Sequence, residues 1–134
     1  ISEALTTAKA MGLDLNTTYE AIAISSGNSF VHETEGQVIL NGSRVISFTM
    51  GLVLKDTGLF QRLAESHNVP LEISPKVVEI FEEGVKKYGP DEFSPNIIKR
   101  LEESTGLSIL APGFPPEMID DEPEETGYEV KIRR

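Results

Sequence analysis

Apolar residues recur at helical spacing in the stretch from Ser47 to Glu65, SFTMGLVLKDTGLFQRLAE. On a helix, at about 100° per residue, they form one narrow stripe that consists of Phe48, Leu52, Leu59 and Leu63 and is widened by Val53 and Phe60. Asp56 falls inside this stripe, and Lys55 lies at its edge. Since a buried, charged and unpaired carboxylate is strongly unfavourable, the position of Asp56 requires an explanation.

Two interpretations of Asp56 follow from the pattern. In the first, the carboxylate is buried and accepts hydrogen bonds from a neighbouring helix N-terminus, or pairs with Lys55 or Arg62. In the second, this face of the helix meets a cofactor or substrate and is not a core face. Periodicity alone slightly favours the structural interpretation.

The rest of the chain up to Gly106 also has helical periodicity, and no segment alternates strongly enough to require a strand. Ser-Pro pairs at 74–75 and 94–95 are helix starts, while glycines at 12, 36, 89 and 106 are helix stops. These signals predict one helix that ends at Gly12 and others over 17–25, 30–36, 45–67, 74–88 and 94–104. We therefore expect an all-α bundle of five or six helices over residues 1–106.

The composition changes from Leu107 onward. Residues 107–134 contain four of the eight prolines, and seven acids lie between Glu117 and Glu129 with no basic residue among them. This composition predicts an extended, acidic tail. Its apolar residues either anchor it along a surface or leave it partly disordered; they are Ile109, Leu110, Phe114, Met118, Ile119 and Tyr128.

Charge and composition exclude several classes of function. The net charge of −10 argues against nucleic acid and anionic membranes as partners. The absence of cysteine excludes disulfides and thiolate chemistry, and two unrelated histidines do not make a metal site. We expect His32 at a helix surface or interface.

No apolar run approaches the roughly 20 residues of a membrane span, so a cytoplasmic protein is expected.

The first residues, ISEALTTAKAMG, begin in the middle of a helical pattern. Ile1, Leu5, Ala8 and Met11 share one face of this helix, and no N-cap residue precedes it. We therefore expect the chain to be a fragment whose first helix lacks its start.

Two blocks of the sequence resemble the C-terminal domain of the β-hydroxyacid dehydrogenases. They are EALTTAKAMGLDLNTTYEAIAISSGNSFVHE (Glu3 to Glu33) and FTMGLVLKDTGLFQRLAESHNVPLEIS (Phe48 to Ser74). The order and spacing of both blocks agree with the family, which includes 3-hydroxyisobutyrate, L-threonate and tartronate-semialdehyde enzymes and glyoxylate reductase. The resemblance covers residues 1–106 and implies the all-α domain found in 6-phosphogluconate dehydrogenase-like enzymes, which follows a Rossmann domain.

The resemblance implies an oxidoreductase that uses NAD or NADP on a small β-hydroxyacid. The family's general acid/base lysine would precede Ile1, so no catalytic residue is expected in this chain and the chain alone should be inactive. Phe48 and Asp56 match positions that line the active site, and Lys55 matches one that reaches the cofactor. The loop Ser26, Gly27, Asn28 and Ser29 matches a region near the substrate.

The resemblance also implies partners: a small hydroxyacid, a Rossmann domain of the same protein and further copies of the chain in a homo-oligomer. NAD cannot be distinguished from NADP, because the ribose-reading residues belong to the Rossmann domain. The alternative hypothesis is a stand-alone helical interaction module without catalysis. A dinucleotide-binding GxGxxG motif upstream in the parent protein would distinguish the two hypotheses.

Overall fold

In a computed structural model, which describes residues 1–119, the chain forms six α-helices and one short 3-10 helix. In order, they are α1 (Ser2–Ala10), α2 (Leu15–Ala23), α3 (Phe30–Asn41), α4 (Met50–Ser66), α5 (Ser74–Tyr88), the 3-10 helix Ser94–Ile98 and α6 (Lys99–Thr105). The described residues include two isolated bridges, Val45–Glu117 and Thr49–Phe93, and no strand. The predicted all-α fold is therefore confirmed. None of these helices is long and apolar enough to cross a membrane.

Helix α3 differs from the prediction, because it continues through Gly36 and ends at Asn41. Gly36 is buried inside the helix, and a Cβ atom there would lie 3.2 Å from the Tyr19 ring. This glycine permits close packing of α3 on α2 and does not end the helix. The C-terminus is instead formed by Gly42, whose φ of 90° is left-handed.

Helix α4 also differs, because it begins at Met50 and not at Val45. The preceding backbone is extended and pairs with the segment before the 3-10 helix: the Ser94 amide donates to the Phe48 carbonyl (2.9 Å), and the Met50 amide donates to the Glu92 carbonyl (2.8 Å). The Thr49 side chain then caps the first turn of α4. Phe48 therefore lies just before the helix.

The main core is formed by α1, α2, α3, the 3-10 helix and the segment after α6. Its buried apolar residues are Leu5, Ala8, Leu15, Tyr19, Ile39, Leu40, Ile98 and Ile109. Helices α4 and α5 pack mainly on each other and reach the rest of the bundle through the 3-10 helix and the backbone pairing next to it. They therefore form a helical hairpin at one side of the core.

Residues 107–119, here called the strap, follow an extended path against α3. Ile109 is fully buried in the main core, and the Ala111 amide donates to the Leu40 carbonyl (2.9 Å). The Asn41 side-chain amide donates to the Phe114 carbonyl (2.7 Å). The predicted anchors Leu110, Met118 and Ile119 are about half exposed, while Tyr128 and the acids from Asp120 onward lie outside the described residues. A division of the chain at residue 106 stays a prediction.

Candidate functional site

The apolar stripe of α4 does not face the core. Leu52, Leu59, Phe60 and Leu63 are 37–61 % exposed. The opposite side of the helix carries Met50, which is fully buried and whose sulfur lies close to Gly84 of α5. In the described part of the chain, α4 therefore uses one apolar side for its own hairpin and leaves the other side uncovered.

Asp56 lies within this uncovered stripe and has an exposed carboxylate. Its side chain is 52 % exposed, and its Oδ1 atom lies 3.2 Å from Nζ of Lys55, which is equally accessible. The carboxylate is thus not buried against a helix N-terminus. The stripe combines apolar residues with one carboxylate and one ammonium group, all within reach of a molecule that covers it.

The loop from Ser26 to Ser29 connects α2 to α3 and is held by local hydrogen bonds. Asn28 Nδ2 donates to Glu33 Oε1 (2.6 Å), and Asn28 Oδ1 accepts from the Ser29 amide (2.8 Å). The Ser29 hydroxyl caps α3 by accepting from the His32 amide (3.1 Å). Among residues 1–119, no hydrogen bond or ion pair joins this loop to Phe48, Lys55 or Asp56.

Phe48 lines a different feature, an apolar cavity of about 360 Å³ between the hairpin and the main bundle. Its lining residues are Ile1, Ser2, Val31, Glu35, Ile39, Phe48, Val53, Phe81, Ser94, Pro95 and Ile97. Phe48 is the only sequence-predicted site residue in this lining. The cavity's size is within the range of small-molecule sites.

Glu35 is the only ionisable side chain in the cavity lining. Ser94 Oγ donates to Glu35 Oε2 over a long distance of 3.5 Å, and burial raises the pKa of this carboxyl above its ordinary value. Sequence analysis missed Glu35. A signal existed, because Val31, Glu35 and Ile39 lie one turn apart on α3 and place a carboxylate between two apolar residues, as in α4.

His32 is fully buried, so its expected position at a surface or interface is wrong. Its Nε2 donates to the Tyr19 carbonyl (2.9 Å), and its ring lies 4.4 Å from the Tyr19 ring, centroid to centroid. These contacts make His32 part of the packing between α2 and α3. No group of three potential metal ligands is found in residues 1–119.

A second, shallower depression of about 600 Å³ surrounds Arg44 and Glu102. The Arg44 guanidinium donates to both oxygens of the Glu102 carboxylate (2.8 and 2.7 Å), and Glu102 Oε1 also accepts from the Ile109 amide (3.0 Å). The ion pair fastens the strap to the bundle, while Arg44 Nε is buried and has no hydrogen-bond partner among residues 1–119.

Comparison with known proteins identifies one matching family. A family model described as "NAD-binding of NADP-dependent 3-hydroxyisobutyrate dehydrogenase" matches residues 1–101. The chain is also 34 % identical over 111 residues to a 2-(hydroxymethyl)glutarate dehydrogenase of Eubacterium barkeri. That alignment covers 81 % of this chain and 36 % of the relative, so the chain spans about a third of the relative's length.

Proposed function

Because this chain belongs to the 3-hydroxyisobutyrate dehydrogenase-like family of β-hydroxyacid dehydrogenases, we propose that it is the helical domain of an NAD(P)-dependent oxidoreductase. The reaction transfers a hydride between the nicotinamide ring and a small β-hydroxyacid. The match of the NAD-binding family model to most of the chain supports the cofactor class, and the dehydrogenase relative supports the reaction class. A Rossmann domain of the same protein supplies the main dinucleotide site.

The observation that carries this proposal is the exposed stripe of α4 with Asp56 and Lys55 upon it. Hydride transfer requires a dry pocket with a few placed polar groups. A stripe that is apolar, exposed and interrupted by one carboxylate and one ammonium group has this composition. In this proposal Phe48 and the part of the stripe that carries Leu52, Lys55 and Asp56 form one wall of the active-site cleft.

The residues of this wall have separate roles. Lys55 contacts the cofactor, whose phosphates and carboxamide offer acceptors to an ammonium group. Asp56 orients a cationic acid/base group or a water next to the substrate, since a carboxylate fixes such groups by charge-assisted hydrogen bonds. Ser26, Gly27, Asn28 and Ser29 contribute a polar edge near the substrate; in support, Ser26, Gly27 and Ser29 are exposed and Asn28 is half-buried in the loop before α3.

The remaining apolar exposure supports association between copies of the chain. Leu59, Phe60 and Leu63 are each more than half exposed, and so is Ile73 beyond the helix. Contiguous apolar surface of this kind marks interaction sites. We therefore include a homo-oligomer, in a cytoplasmic location, in the proposal.

The same exposed stripe also favours the second hypothesis, a helical interaction module without catalysis. An apolar helix face is a common docking surface for a partner helix. A parent protein without an upstream GxGxxG motif and without nicotinamide binding would support this module and contradict the dehydrogenase.

The test is Asp56→Ala in the parent enzyme, with Asp91→Ala as the control, since Asp91 is an exposed aspartate in the turn after α5. We expect Asp56→Ala to lower kcat/KM by about tenfold or more, which corresponds to roughly 1.4 kcal/mol of transition-state stabilisation. Urea melts of the 134-residue chain should change little, because the carboxylate is exposed. Normal kcat/KM for Asp56→Ala, or a loss equal to that of Asp91→Ala, would contradict the assignment.

A further inference from the structure

Residues 43–49, here called the connector, join α3 to α4 and carry Phe48 near their end. The connector is held on two sides. On one side lies the strap: the Ser43 hydroxyl donates to the Pro116 carbonyl (2.6 Å), and an isolated bridge joins the two segments next to this bond. On the other side, the Phe48 carbonyl accepts from the Ser94 amide (2.9 Å). The path of the connector therefore determines where Phe48 lies relative to the bundle.

Arg44, the second residue of the connector, combines two unfavourable features. Its φ of 56° lies in the left-handed region, which residues other than glycine adopt at a cost. The residue is only 8 % exposed, and its Nε has no hydrogen-bond partner among residues 1–119. A buried N–H group without an acceptor also destabilises a fold. Local costs of this kind are concentrated at positions that serve function, so Arg44 requires an explanation beyond packing.

The side chain of Arg44 links the connector to α6 and to the 3-10 helix. Its Nη2 donates to both Glu102 oxygens, and its Nη1 lies 3.5 Å from Asn96 Oδ1. The Asn96 side-chain amide in turn donates to Glu92 Oε1 (2.9 Å), and the Glu92 backbone carbonyl accepts from the Met50 amide (2.8 Å). A continuous series of polar contacts therefore runs from the start of the connector to the first residue of α4.

From these contacts we propose that Arg44 is a positioning residue, which fixes the connector and thereby places Phe48 and the start of α4. This inference rests on the proposed function for its catalytic meaning, because Phe48 and the first turns of α4 belong to the proposed wall of the cleft. Arg44 acts through the connector and contacts neither substrate nor cofactor. A displacement of about 1 Å in such a wall can lower the rate about a hundredfold, since hydride transfer depends on the alignment of the reacting groups.

The first experiment measures amide hydrogen exchange in the 134-residue chain by NMR. The variant is Arg44→Met with Glu102→Gln, which removes both charges, keeps an acceptor for the Ile109 amide and leaves no buried charge unpaired. We expect the Ser94 and Met50 amides, which report the pairing of the connector, to exchange at least about tenfold faster. Amides of α2 should keep the parent rate, because the change is local.

The matched control is Arg100→Gln with Glu83→Gln. It removes another arginine–glutamate pair, which joins α6 to α5 and is not attached to the connector. The Ser94 and Met50 amides should exchange at the parent rate in this control. Unchanged exchange of these two amides in the connector variant, or an equal acceleration across α2, would overturn the proposal, since Arg44 would then contribute nothing local to the connector.

The second experiment measures steady-state kinetics of the parent enzyme, with 3-hydroxyisobutyrate as the probe and NAD or NADP. We expect kcat per folded molecule to fall at least about tenfold in Arg44→Met with Glu102→Gln. Arg44→Lys, which keeps the charge but not the planar fork, should recover part of this loss. The Arg100→Gln, Glu83→Gln control should keep the parent kcat, and circular dichroism confirms that each variant is folded.

The two experiments separate this inference from the proposed function. An unchanged kcat in the folded connector variant would overturn the role of Arg44 and leave the dehydrogenase intact. A parent enzyme without nicotinamide-dependent turnover contradicts the proposed function instead, and hydrogen exchange then decides by itself whether Arg44 places Phe48.

Discussion

Asp56 and Glu35 are two carboxylates on apolar helix faces with opposite environments. Asp56 is half exposed beside Lys55, whereas Glu35 lies at a cavity where its one hydrogen-bond donor among residues 1–119 is Ser94. The same sequence pattern therefore produced one accessible charge and one partly desolvated charge. The difference arises from tertiary packing, since α4 leaves its stripe uncovered while α3 is enclosed by α1, α4 and the 3-10 helix.

Glu35→Gln should stabilise the chain at neutral pH. The pKa of Glu35 is raised in the folded state by burial, so folding disfavours its ionised form. The parent chain therefore loses stability as the pH rises from the ordinary carboxyl pKa to the pKa of folded Glu35. Above the folded-state pKa, the loss of stability is complete. Glutamine has the same shape and carries no charge at any pH.

The measurement is urea unfolding of both proteins at neutral pH and near pH 4, about the ordinary pKa of a glutamate. Glu35→Gln should have a higher free energy of unfolding than the parent at neutral pH, and this difference should be smaller near pH 4. Equal stability at neutral pH, or an advantage that grows on acidification, would show that burial does not disfavour this charge.

At the scale of the elements, two glycines of α4 occupy contrasting surroundings. A Cβ atom at Gly51 would lie 2.9 Å from the Pro90 carbonyl oxygen, where the hairpin is paired to the segment before the 3-10 helix. At Gly58 the nearest atom is the flexible end of Arg62, at 3.4 Å. Gly51 is therefore required by a close backbone approach, and Gly58 is not.

Gly58→Ala should raise the free energy of unfolding by about 0.5–1 kcal/mol, the usual gain for alanine in a helix. Gly51→Ala should lower the free energy of unfolding, because a backbone carbonyl cannot move aside as a side chain can. Urea melts of the two variants form a matched pair, since both make the same substitution in one helix. A higher free energy of unfolding for Gly51→Ala would indicate that the segment around Pro90 can move away from α4.

Features that depend on residues close in the sequence were mostly predicted correctly, and features that depend on contacts between distant parts of the chain were not. Helix α5 spans Ser74–Tyr88, within one residue of the prediction, because the Pro75 and Gly89 signals act locally; the predicted N-cap Ser74 is wrong, since the N-cap is Ile73 and has no side-chain hydrogen bond. The predicted start of α4 at Val45 was wrong, because the Phe48 carbonyl accepts a hydrogen bond from the Ser94 amide and this distant pairing keeps the segment before Met50 extended. Glu35 was missed for the same reason, since the cavity around it exists only when five helical elements come together.

At the scale of the whole molecule, the strap contributes to the main core. Ile109→Ala should destabilise the chain by about 3 kcal/mol, because the side chain is fully buried among residues of α1, α2 and α3. Leu110→Ala is the matched control, because Leu110 is the next residue and its side chain is about half exposed. It should lower the free energy of unfolding much less than Ile109→Ala does. Chemical denaturation of both variants measures the difference, and equal small losses would mean that the strap is not part of the cooperative unit.

The 134-residue chain alone should not oxidise β-hydroxyacids. The proposed function assigns the general acid/base lysine and the main dinucleotide site to residues outside this chain, and the chain spans about a third of its dehydrogenase relative. Purified chain with NAD or NADP and candidate hydroxyacids should give no turnover above the blank, followed by nicotinamide absorbance. Clear turnover would contradict the proposed division of labour between two domains.

The burial of Ile109 beside the first helix has a consequence for synthesis on the ribosome. Leu5 and Ile109 share one core although about a hundred residues separate them in the sequence. During translation, the early helices emerge long before the segment that completes their core, and contacts of such sequence separation form slowly. Helices α4 and α5 are consecutive in the sequence, so their hairpin can form as soon as both have emerged. We therefore expect the nascent chain to form the hairpin first and to complete the main core only after residue 109 has left the exit tunnel.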